Sequence, residues 1–368
     1  MSVPMQDLLR TLEEIAPLRD AEPWDNVGLL VGDPTSSVSS ALLCIDYTES
    51  VYDEMVRGGH DILVAYHPPI FDPLKRVLAS GLSSLVYKSI RQNFSIYSPH
   101  TALDVATGGT NDVLGDILGL SKRQPLKLVE SKAREYKLAT SVPPKDLEKV
   151  ADAIFAAGGG GIGAYTRCSF RYDGTGTFQG DDTTNPAVGK AGEDTKVTET
   201  KIEVLVDAAH IQPAVAAIKT AHPYEVPAID LHPLTALPTG RGIGRVGKMQ
   251  PGVARGELFE RIKSALGAAH LLIAGPTDGI VETAACCAGA GGSLLDDALR
   301  WGAQLYLTGE LRHHDALKAA AAGMTVVCTL HSNSERLTLA YLERRLAEML
   351  PGLAVHQSRA DRDPFAIL

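Results

Sequence analysis

The chain has 368 residues, enough for about two domains. Hydrophobic residues make up 45% and charged residues 21%, an ordinary globular balance, and the formal net charge is -9. A nucleic-acid partner is therefore not expected, because binding phosphates needs a basic surface. A membrane partner is not expected either, because no apolar run reaches the roughly 18 residues that cross a bilayer.

The first residues carry acidic side chains and lack the basic region of a signal peptide. Leu8, Leu9, Leu12 and Ile15 recur at helical spacing and predict an amphipathic helix. The five cysteines are odd in number and form no CxxC motif, which is typical of free thiols in a reducing compartment. The chain is therefore expected in the cytoplasm.

The first third alternates short apolar runs with helical patterns. Strands are predicted at 41–45, 61–66 and 94–97, and helices around 51–56, 82–90 and 111–118. Such alternation favours βαβ units and a largely parallel sheet.

The middle third predicts two successive β-α-β halves, which indicate a ferredoxin-like domain. The predicted strands are 138–142, 167–172, 201–206 and 228–233, and the predicted helices are 145–157 and 211–220. Residues 174–199 are rich in Gly, Thr and Asp and are expected to form an exposed excursion. The glycine-rich run 238–247 is expected to be a turn that leaves the domain.

The last third returns to α/β alternation. Strands are predicted at 281–287, 305–308 and 325–330, and helices at 258–266, 294–300 and 335–350. The simplest architecture is one α/β domain split by an inserted α+β domain. The expected segments are 1–125, 126–238 and 239–368.

Polar side chains follow the predicted strands at the points where they end. His67 follows one strand directly, His100 and Asp104 follow the next, and Glu310 and His331 follow the last two. Because ligands bind beyond the carboxyl ends of parallel strands, one site at one sheet edge is predicted. Mixed imidazole and carboxylate ligands suit Zn, Fe, Mn or Co.

Each of these residues also has a purely structural interpretation. His67 can end a strand before a proline, and Asp104 is typical of a turn before two glycines. Ser332-x-x-Glu335 matches a capping box, so Glu335 can serve as a helix cap. Glu335 nevertheless lies four residues after His331, a spacing that places both on one helix face, and a bridging carboxylate is what a two-metal site needs.

Several longer motifs carry a resemblance to a known family. They are Trp24-Asp25-Asn26-Val27-Gly28-Leu29, Tyr66-His67-Pro68-Pro69-Ile70-Phe71, His100-Thr101-Ala102-Leu103-Asp104, Gly108-Gly109-Thr110-Asn111-Asp112, Thr308-Gly309-Glu310, His313-His314-Asp315, His331 with Glu335, and Asp363-Pro364-Phe365. With them the chain resembles the Nif-three-like proteins, also labelled GTP cyclohydrolase I type 2 homologues. In the middle third, His222-Pro223-Tyr224-Glu225 and 242–247 resemble the PII/CutA-like insertion of longer members.

The resemblance implies a Nif-three-like α/β core formed by both ends of the chain, and a homo-oligomer arranged as a hexameric ring. It also implies a metal site made of His67, Asp104, His331 and Glu335. His67, Asp104 and Glu335 would hold one ion, and His331 with a bridging Glu335 the other. Tyr66 stands where the common bacterial pattern has a second histidine, so one or two divalent metal ions are expected per chain.

The leading functional hypothesis is a metal-dependent hydrolase that acts on a nucleotide or phosphoester substrate. Asp104 or Glu310 would relay protons, Tyr66, His100 and Glu310 are possible additional site residues, and no catalytic residue is assigned. The cyclohydrolase label rests on the resemblance alone. The alternative is a non-enzymatic metal-binding or regulatory assembly protein, which the inserted domain favours.

Overall fold

The computed structural model describes residues 2–129, 135–235 and 240–366. The chain divides into a core unit, Met1–Val129 with Pro238–Leu368, and an inserted unit, Glu130–Leu237. Leu126 is buried in the core unit, so the inserted unit begins a few residues later than the expected 126. Among the described residues, no helix is long and apolar enough to cross a membrane. All five cysteines are free.

The first part of the core unit contains eight strands and five helices within the described residues. They are β1 Val3–Pro4, α1 Met5–Ile15, β2 Gly28–Val31, β3 Ser37–Val38, β4 Ser40–Cys44, α2 Glu49–Gly58, β5 Ile62–Ala65, α3 Ser84–Arg91, β6 Ser95–Ser98, α4 His100–Val105, α5 Thr110–Leu118, β7 Ser121–Gln124 and β8 Lys127–Leu128. The predicted N-terminal helix is confirmed as α1, which buries Leu8, Leu12 and Ile15.

Within residues 135–235, the inserted unit contains the next four strands and two α-helices. They are β9 Glu135–Val142, α6 Leu147–Ala156, β10 Phe170–Phe178, β11 Thr195–Asp207, α7 Ile211–Ala221 and β12 Ile229–Pro233. The antiparallel sheet has the order β10-β11-β9-β12, and both helices contribute to its core. This βαββαβ arrangement confirms the predicted ferredoxin-like topology.

The exposed excursion predicted at 174–199 is wrong at both ends. β10 continues to Phe178 and β11 starts at Thr195, and the two strands pair antiparallel from Phe170 with Glu203 to Phe178 with Thr195. The hairpin was missed because these strands are mostly exposed. They therefore lack the apolar alternation that marks a strand with one buried face.

The rest of the core unit follows residue 240. Its elements are β13 Gly242–Ile243, β14 Arg245–Ala254, α8 Arg255–Leu266, β15 Leu272–Ala274, β16 Ile280–Ala290, α9 Leu295–Arg300, β17 Leu305–Glu310, α10 His313–Ala321, β18 Thr325–Cys328, α11 His331–Glu335, α12 Thr338–Met349 and β19 Ala354–Gln357. Residues 238 and 239 of the turn predicted at 238–247 lie outside the described residues. The rest of that turn ends early, because Gly242–Ile243 forms β13 and β14 begins at Arg245. The single helix predicted at 335–350 is wrong. The chain turns between α11 and α12, and Glu335 belongs to the short α11.

Among the described residues, the two larger sheets of the core unit are both mixed, where a single largely parallel sheet was expected, and β1-β3 and β8-β13 form two small antiparallel pairs. The first has the order β19-β4-β5-β6-β2, with β2 antiparallel to β6 and the other pairs parallel. The second has the order β15-β18-β17-β16-β14-β7, in which only β16, β17 and β18 run parallel. The strands that precede the predicted metal ligands therefore come from two sheets: β5 and β6 from the first, β17 and β18 from the second.

Deleting the inserted unit should leave a folded core unit with unchanged metal content per chain. β8 pairs with β13 antiparallel, and the Val129 N–H donates to the Arg241 carbonyl at 3.1 Å, so replacing 130–240 with Asn-Gly would make a tight hairpin. Loop-closure entropy changes only slowly with loop length, so the shorter connection should not destabilise the core. The measurement is metal per chain and thermal unfolding of the deletion protein beside the full chain. Aggregation or loss of metal would show that the core needs the inserted unit.

Candidate metal centre

The predicted ligands are delivered by segments that follow strands of both core sheets. Tyr66 and His67 follow β5, whose four residues are all buried because they are continuously apolar. His331 and Glu335 begin and end α11, which follows β18. The site therefore lies where the strand ends of two sheets meet, and the expectation of one shared sheet edge is wrong.

Three of the four predicted ligands come together. The potential ligand atoms of His67, His331 and Glu335 all lie within 4.8 Å of one another. Glu335 Oε2 is 3.4 Å from His67 Nε2, and Glu335 Oε1 is 3.2 Å from His331 Nε2. Glu335 is only 3% exposed, so its carboxylate is fixed between the two imidazoles. The capping-box interpretation is wrong, because Glu335 contacts these rings at the end of α11.

Each of the two imidazoles is oriented by its own carboxylate, in addition to that of Glu335. Asp46 Oδ1 lies 2.9 Å from His67 Nδ1, and Glu310 Oε1 lies 2.9 Å from His331 Nδ1. A carboxylate at Nδ1 favours a proton there, which leaves the Nε2 lone pair for a metal ion. This carboxylate–histidine pairing is the usual support of metal-ligating histidines.

The acidic surroundings control the protonation of the two rings. Burial lowers the pKa of His67, but the carboxylates of Asp46 and Glu335 outweigh it and raise the pKa to about 10. The Glu335 carboxylate is the main cause that raises the pKa of His331 to about 9. Burial opposes ionisation of Glu335, yet the two imidazoles hold its pKa below the usual value. A cation at this centre has to displace protons from the rings.

The donor set fits a divalent cation. Among the described residues, the buried Glu335 Oε2 accepts no hydrogen bond and has only its 3.4 Å ion-pair contact with His67 Nε2, and a buried carboxylate oxygen of this kind requires an explanation such as an ion. Gly289 keeps space open beside the Glu335 carboxylate, because a Cβ at this position would lie 2.8 Å from Glu335 Oε1 and 3.2 Å from His331 Nε2. One carboxylate and two imidazole nitrogens are ligands that Zn, Fe, Mn and Co accept.

Asp104 lies on α4, is buried, and stands outside the three-residue group. Its Oδ1 accepts a hydrogen bond from the Tyr66 hydroxyl. Burial raises the pKa of Asp104 to about 6 and raises that of Tyr66 well above its ordinary value. Tyr66 therefore remains a protonated donor at neutral pH. The role of Asp104 as a metal ligand stays a prediction.

His100 stands beside the centre and has its own carboxylate partner. Its ring centroid is 5.3 Å from that of His67, and its Nδ1 lies 2.7 Å from Asp25 Oδ1. Sequence reasoning missed the roles of Asp25 and Asp46. Asp46 follows strand β4 closely, so the strand-end rule that selected His67 would have found it. No spacing signal connects Asp25 with His100, since 75 residues separate them.

Leu330 precedes His331 with a φ of 72° and a ψ of 154°, a conformation that strongly favours glycine. His100 also has a positive φ, of 29°. Strained backbone of this kind costs about 1–3 kcal/mol at each residue and is concentrated at functional sites. Both strained positions therefore support the assignment of this region as a site.

Replacing Tyr66 with histidine should raise the amount of metal bound per chain or tighten the weaker ion. The imidazole adds a neutral nitrogen donor where the phenol stays protonated, and the Asp104 carboxylate loses the hydrogen bond that now occupies it. The measurement is metal stoichiometry and affinity by titration. Tyr66→Phe is the control, because it frees Asp104 without adding a donor. Equal stoichiometry and affinity in all three proteins would contradict the prediction.

Comparisons with known proteins agree over nearly the whole chain. The model of the Duf34/NIF3 (NGG1p interacting factor 3) family matches residues 3–364. A Halalkalibacterium halodurans protein named GTP cyclohydrolase 1 type 2 homolog is 32% identical over 368 residues, which cover 99% of this chain and 98% of that protein. A Mycobacterium tuberculosis protein of the same name is 36% identical over 319 residues, or 86% and 84% of the two chains.

Solved structures give the same result. The crystal structure of a Bacillus cereus protein related to NIF3 has 31% identity and a TM-score of 0.67, with 98% of both chains covered. That of a Staphylococcus aureus protein has 27% identity and a TM-score of 0.79, with 100% of this chain and 99% of that chain covered. The chain belongs to the Duf34/NIF3 (NGG1p interacting factor 3) family.

Proposed function

We propose that the protein is a divalent-metal-dependent hydrolase that acts on a nucleotide or phosphoester-type substrate. The observation that supports it best is the convergence of two imidazole Nε2 atoms on the buried Glu335 carboxylate, with each Nδ1 held by another carboxylate. The name GTP cyclohydrolase 1 type 2 homolog, carried by the curated relatives, supports a hydrolytic reaction on a nucleotide.

His67, His331 and Glu335 would hold metal at this centre. By the family resemblance, Asp104 would join His67 and Glu335 at one ion, and His331 with a bridging Glu335 would hold a second. When bound, a divalent cation supplies Lewis-acid catalysis, because it stabilises negative charge on a substrate oxygen and makes water easier to deprotonate. The chain's own contribution is to fix the ligands: Asp46 and Glu310 hold the two rings, and burial holds the Glu335 carboxylate.

Two carboxylates are placed to move protons at this centre. Glu310 is exposed and lies at hydrogen-bond distance from His331, so it can exchange protons with solvent. Asp104 is buried and is held by the Tyr66 hydroxyl. We propose Glu310 as the group that exchanges the proton with water and Asp104 as the group nearer the reacting atoms.

The test begins with elemental analysis of the purified full-length protein. Metal-loaded and chelator-stripped protein are then compared on a panel of nucleotides and simple phosphoesters. His67→Ala is expected to lose both metal and turnover. His232→Ala is the matched control, because His232 is exposed on β12 of the inserted unit, and it should retain both. Metal-independent turnover, or none on the whole panel, would count against the hydrolase.

The alternative is a non-enzymatic metal-binding or regulatory assembly protein. The separate compact inserted unit with its own apolar core favours it, because nothing in the proposed chemistry uses that unit. Tight metal binding without turnover on the panel would support this alternative. We also propose that the chain forms a homo-oligomer, which light scattering of the native protein tests directly.

A further inference from the structure

Two large aromatic side chains are exposed beside the metal centre. Trp24 is 58% exposed and Phe71 is 51% exposed, and their ring centroids lie 5.8 Å apart. Both belong to segments that carry site residues, since Trp24 precedes Asp25 and Phe71 follows His67 by four positions. We call this pair the aromatic platform.

The backbone around the platform is fixed although its rings face solvent. The Asp25 carboxylate lies against His100 Nδ1 and also accepts from the Thr101 backbone N–H at 3.1 Å. The Asn26 side-chain amide donates to the Ile70 carbonyl at 2.5 Å, which ties the two ring-bearing segments together. Exposed aromatic rings on a fixed backbone lose little conformational entropy when they bind a partner.

The platform lies close to the proposed metal ligands. The Trp24 ring meets His100 edge-on at 6.0 Å between centroids, and His100 lies 5.3 Å from His67. A planar ring stacked on Trp24 would therefore lie close enough for a substituent to reach the neighbourhood of His100 and His67. This geometry suits a substrate that carries a flat ring at one end and its reacting group at the other.

The charge of the centre shows why such a ring contact is needed. The side chains that form ion pairs with the three histidines are the carboxylates of Asp25, Asp46, Glu310 and Glu335. Such a centre repels an anionic group except where a metal ion holds it. Stacking on an aromatic side chain attracts any flat base and needs no charge on the protein.

We propose that Trp24 and Phe71 bind the planar aromatic heterocycle of the substrate, by stacking, while its reacting group lies at the metal centre. The inference rests on the proposed hydrolase function and narrows its substrate class to heterocycle-bearing molecules, as opposed to simple phosphoesters. Two exposed rings offer far less area than the roughly 1,200 Å² that a stable protein interface buries, which favours a small ligand over a second copy of the chain.

The chain offers an internal reporter for this contact. It has two tryptophans, Trp24 and Trp301, so full-length Trp301→Phe keeps Trp24 as its only indole. This protein is titrated with guanosine 5′-monophosphate and with ribose 5-phosphate, which lacks the base, with and without bound metal. We expect the first probe to quench the Trp24 fluorescence and the second to leave it unchanged.

Substitutions at Trp24 then measure the contact by calorimetry. Trp24→Ala should weaken binding of guanosine 5′-monophosphate about tenfold, and Trp24→Phe by less than about threefold because a ring remains. The affinity for ribose 5-phosphate should not change in either variant. Since Trp24 is exposed, both variants should fold, and Trp301→Phe is the matched control for removal of an exposed indole.

Absence of quenching, or equal affinity of wild type and Trp24→Ala for the nucleotide, would overturn the inference. A smaller native mass of Trp24→Ala than of Trp301→Phe would also overturn it, since the platform would then be an interface between copies. Base-dependent quenching without any turnover would support the platform and refute the hydrolase. Turnover with equal kcat/KM in wild type and Trp24→Ala would support the hydrolase and refute the platform.

Discussion

His67→Ala should lower the affinity for a divalent cation by more than about 100-fold while the fold remains intact. Loss of a group that only orients a metal ligand already costs about 10–100-fold, and His67 is one of three residues whose ligand atoms converge. The remaining ligands, His331 and Glu335 with Asp104 as proposed, would have to rely on water for the other positions. The His67 side chain is 23% exposed, so its truncation opens the site to solvent and leaves no closed apolar cavity.

The measurement is competition with a chelator of known affinity, together with circular dichroism and thermal unfolding. His232→Ala, on the inserted unit, should match wild type in every assay. If His67→Ala bound metal as tightly as His232→Ala does, the assignment of His67 as a ligand would fail. A collapse of the fold would instead show that His67 is needed for packing.

The residues of the candidate centre were predicted to different degrees. His67 and His331 were found because polar residues at the ends of buried strands are a local signal, which needs no knowledge of the partner strand. Glu335 was found from its spacing to His331, and the choice of ligands rested on the family resemblance. Their partner Asp46 lies at such a strand end too, but an aspartate after a strand is also a common turn residue. Contacts between distant segments, such as Asp25 with His100, leave no trace in spacing.

The prediction of the fold has the same limit, because contacts between distant segments leave no trace in the sequence pattern. The runs that became β4 and β5 were predicted because they are almost continuously apolar, as expected for strands buried on both faces, and β6 was predicted from the shorter run Phe94-Ser95-Ile96-Tyr97. The assignment of strands to sheets was wrong, because pairing depends on contacts that periodicity cannot encode. β19 pairs in parallel with β4, with Ala354 opposite Ser40, and so joins the two ends of the chain in one sheet. The break between α11 and α12 was missed because Arg336 and Leu337 are both good helix formers.

The C-terminal tail connects the two halves of the metal centre, a role that no local pattern predicts. The Asp361 side chain is fully buried, and its Oδ2 accepts from the Ile45 backbone N–H at 2.7 Å and from Arg336 at 2.6 Å. Ile45 directly precedes Asp46, the carboxylate partner of His67, and Arg336 directly follows Glu335. Two residues further along, Asp363 accepts from the Ser332 hydroxyl at 2.8 Å. The tail therefore holds the segment after β4 against α11.

Asp361→Asn should lower the free energy of unfolding by about 3 kcal/mol and weaken metal binding by about 10–100-fold. The stability loss follows because Arg336 keeps its charge without a carboxylate partner. It also follows because an amide has one acceptor oxygen, whereas Asp361 uses both: Oδ2 accepts from Ile45 and Arg336, and Oδ1 accepts from the Asp46 backbone N–H at 3.4 Å. The loss of metal affinity follows because the tail no longer fixes the position of Asp46 relative to Glu335. Asp361 does not touch the proposed ion, so an effect on metal binding beyond the effect on stability reports positioning.

Urea titration of the metal-free protein gives the stability, and chelator competition well below the unfolding transition gives the affinity. Asp182→Asn, at an exposed aspartate of the inserted unit, is the matched control and should change neither quantity. A second variant, Arg336→Met, separates the effect on stability from the effect on metal affinity. It removes the Arg336–Asp361 ion pair, while the Asp361 carboxylate still accepts from the Ile45 backbone N–H. Reduced stability with unchanged metal affinity in Asp361→Asn would mean that the tail only stabilises the fold, and that the ligands are positioned by the strand ends alone.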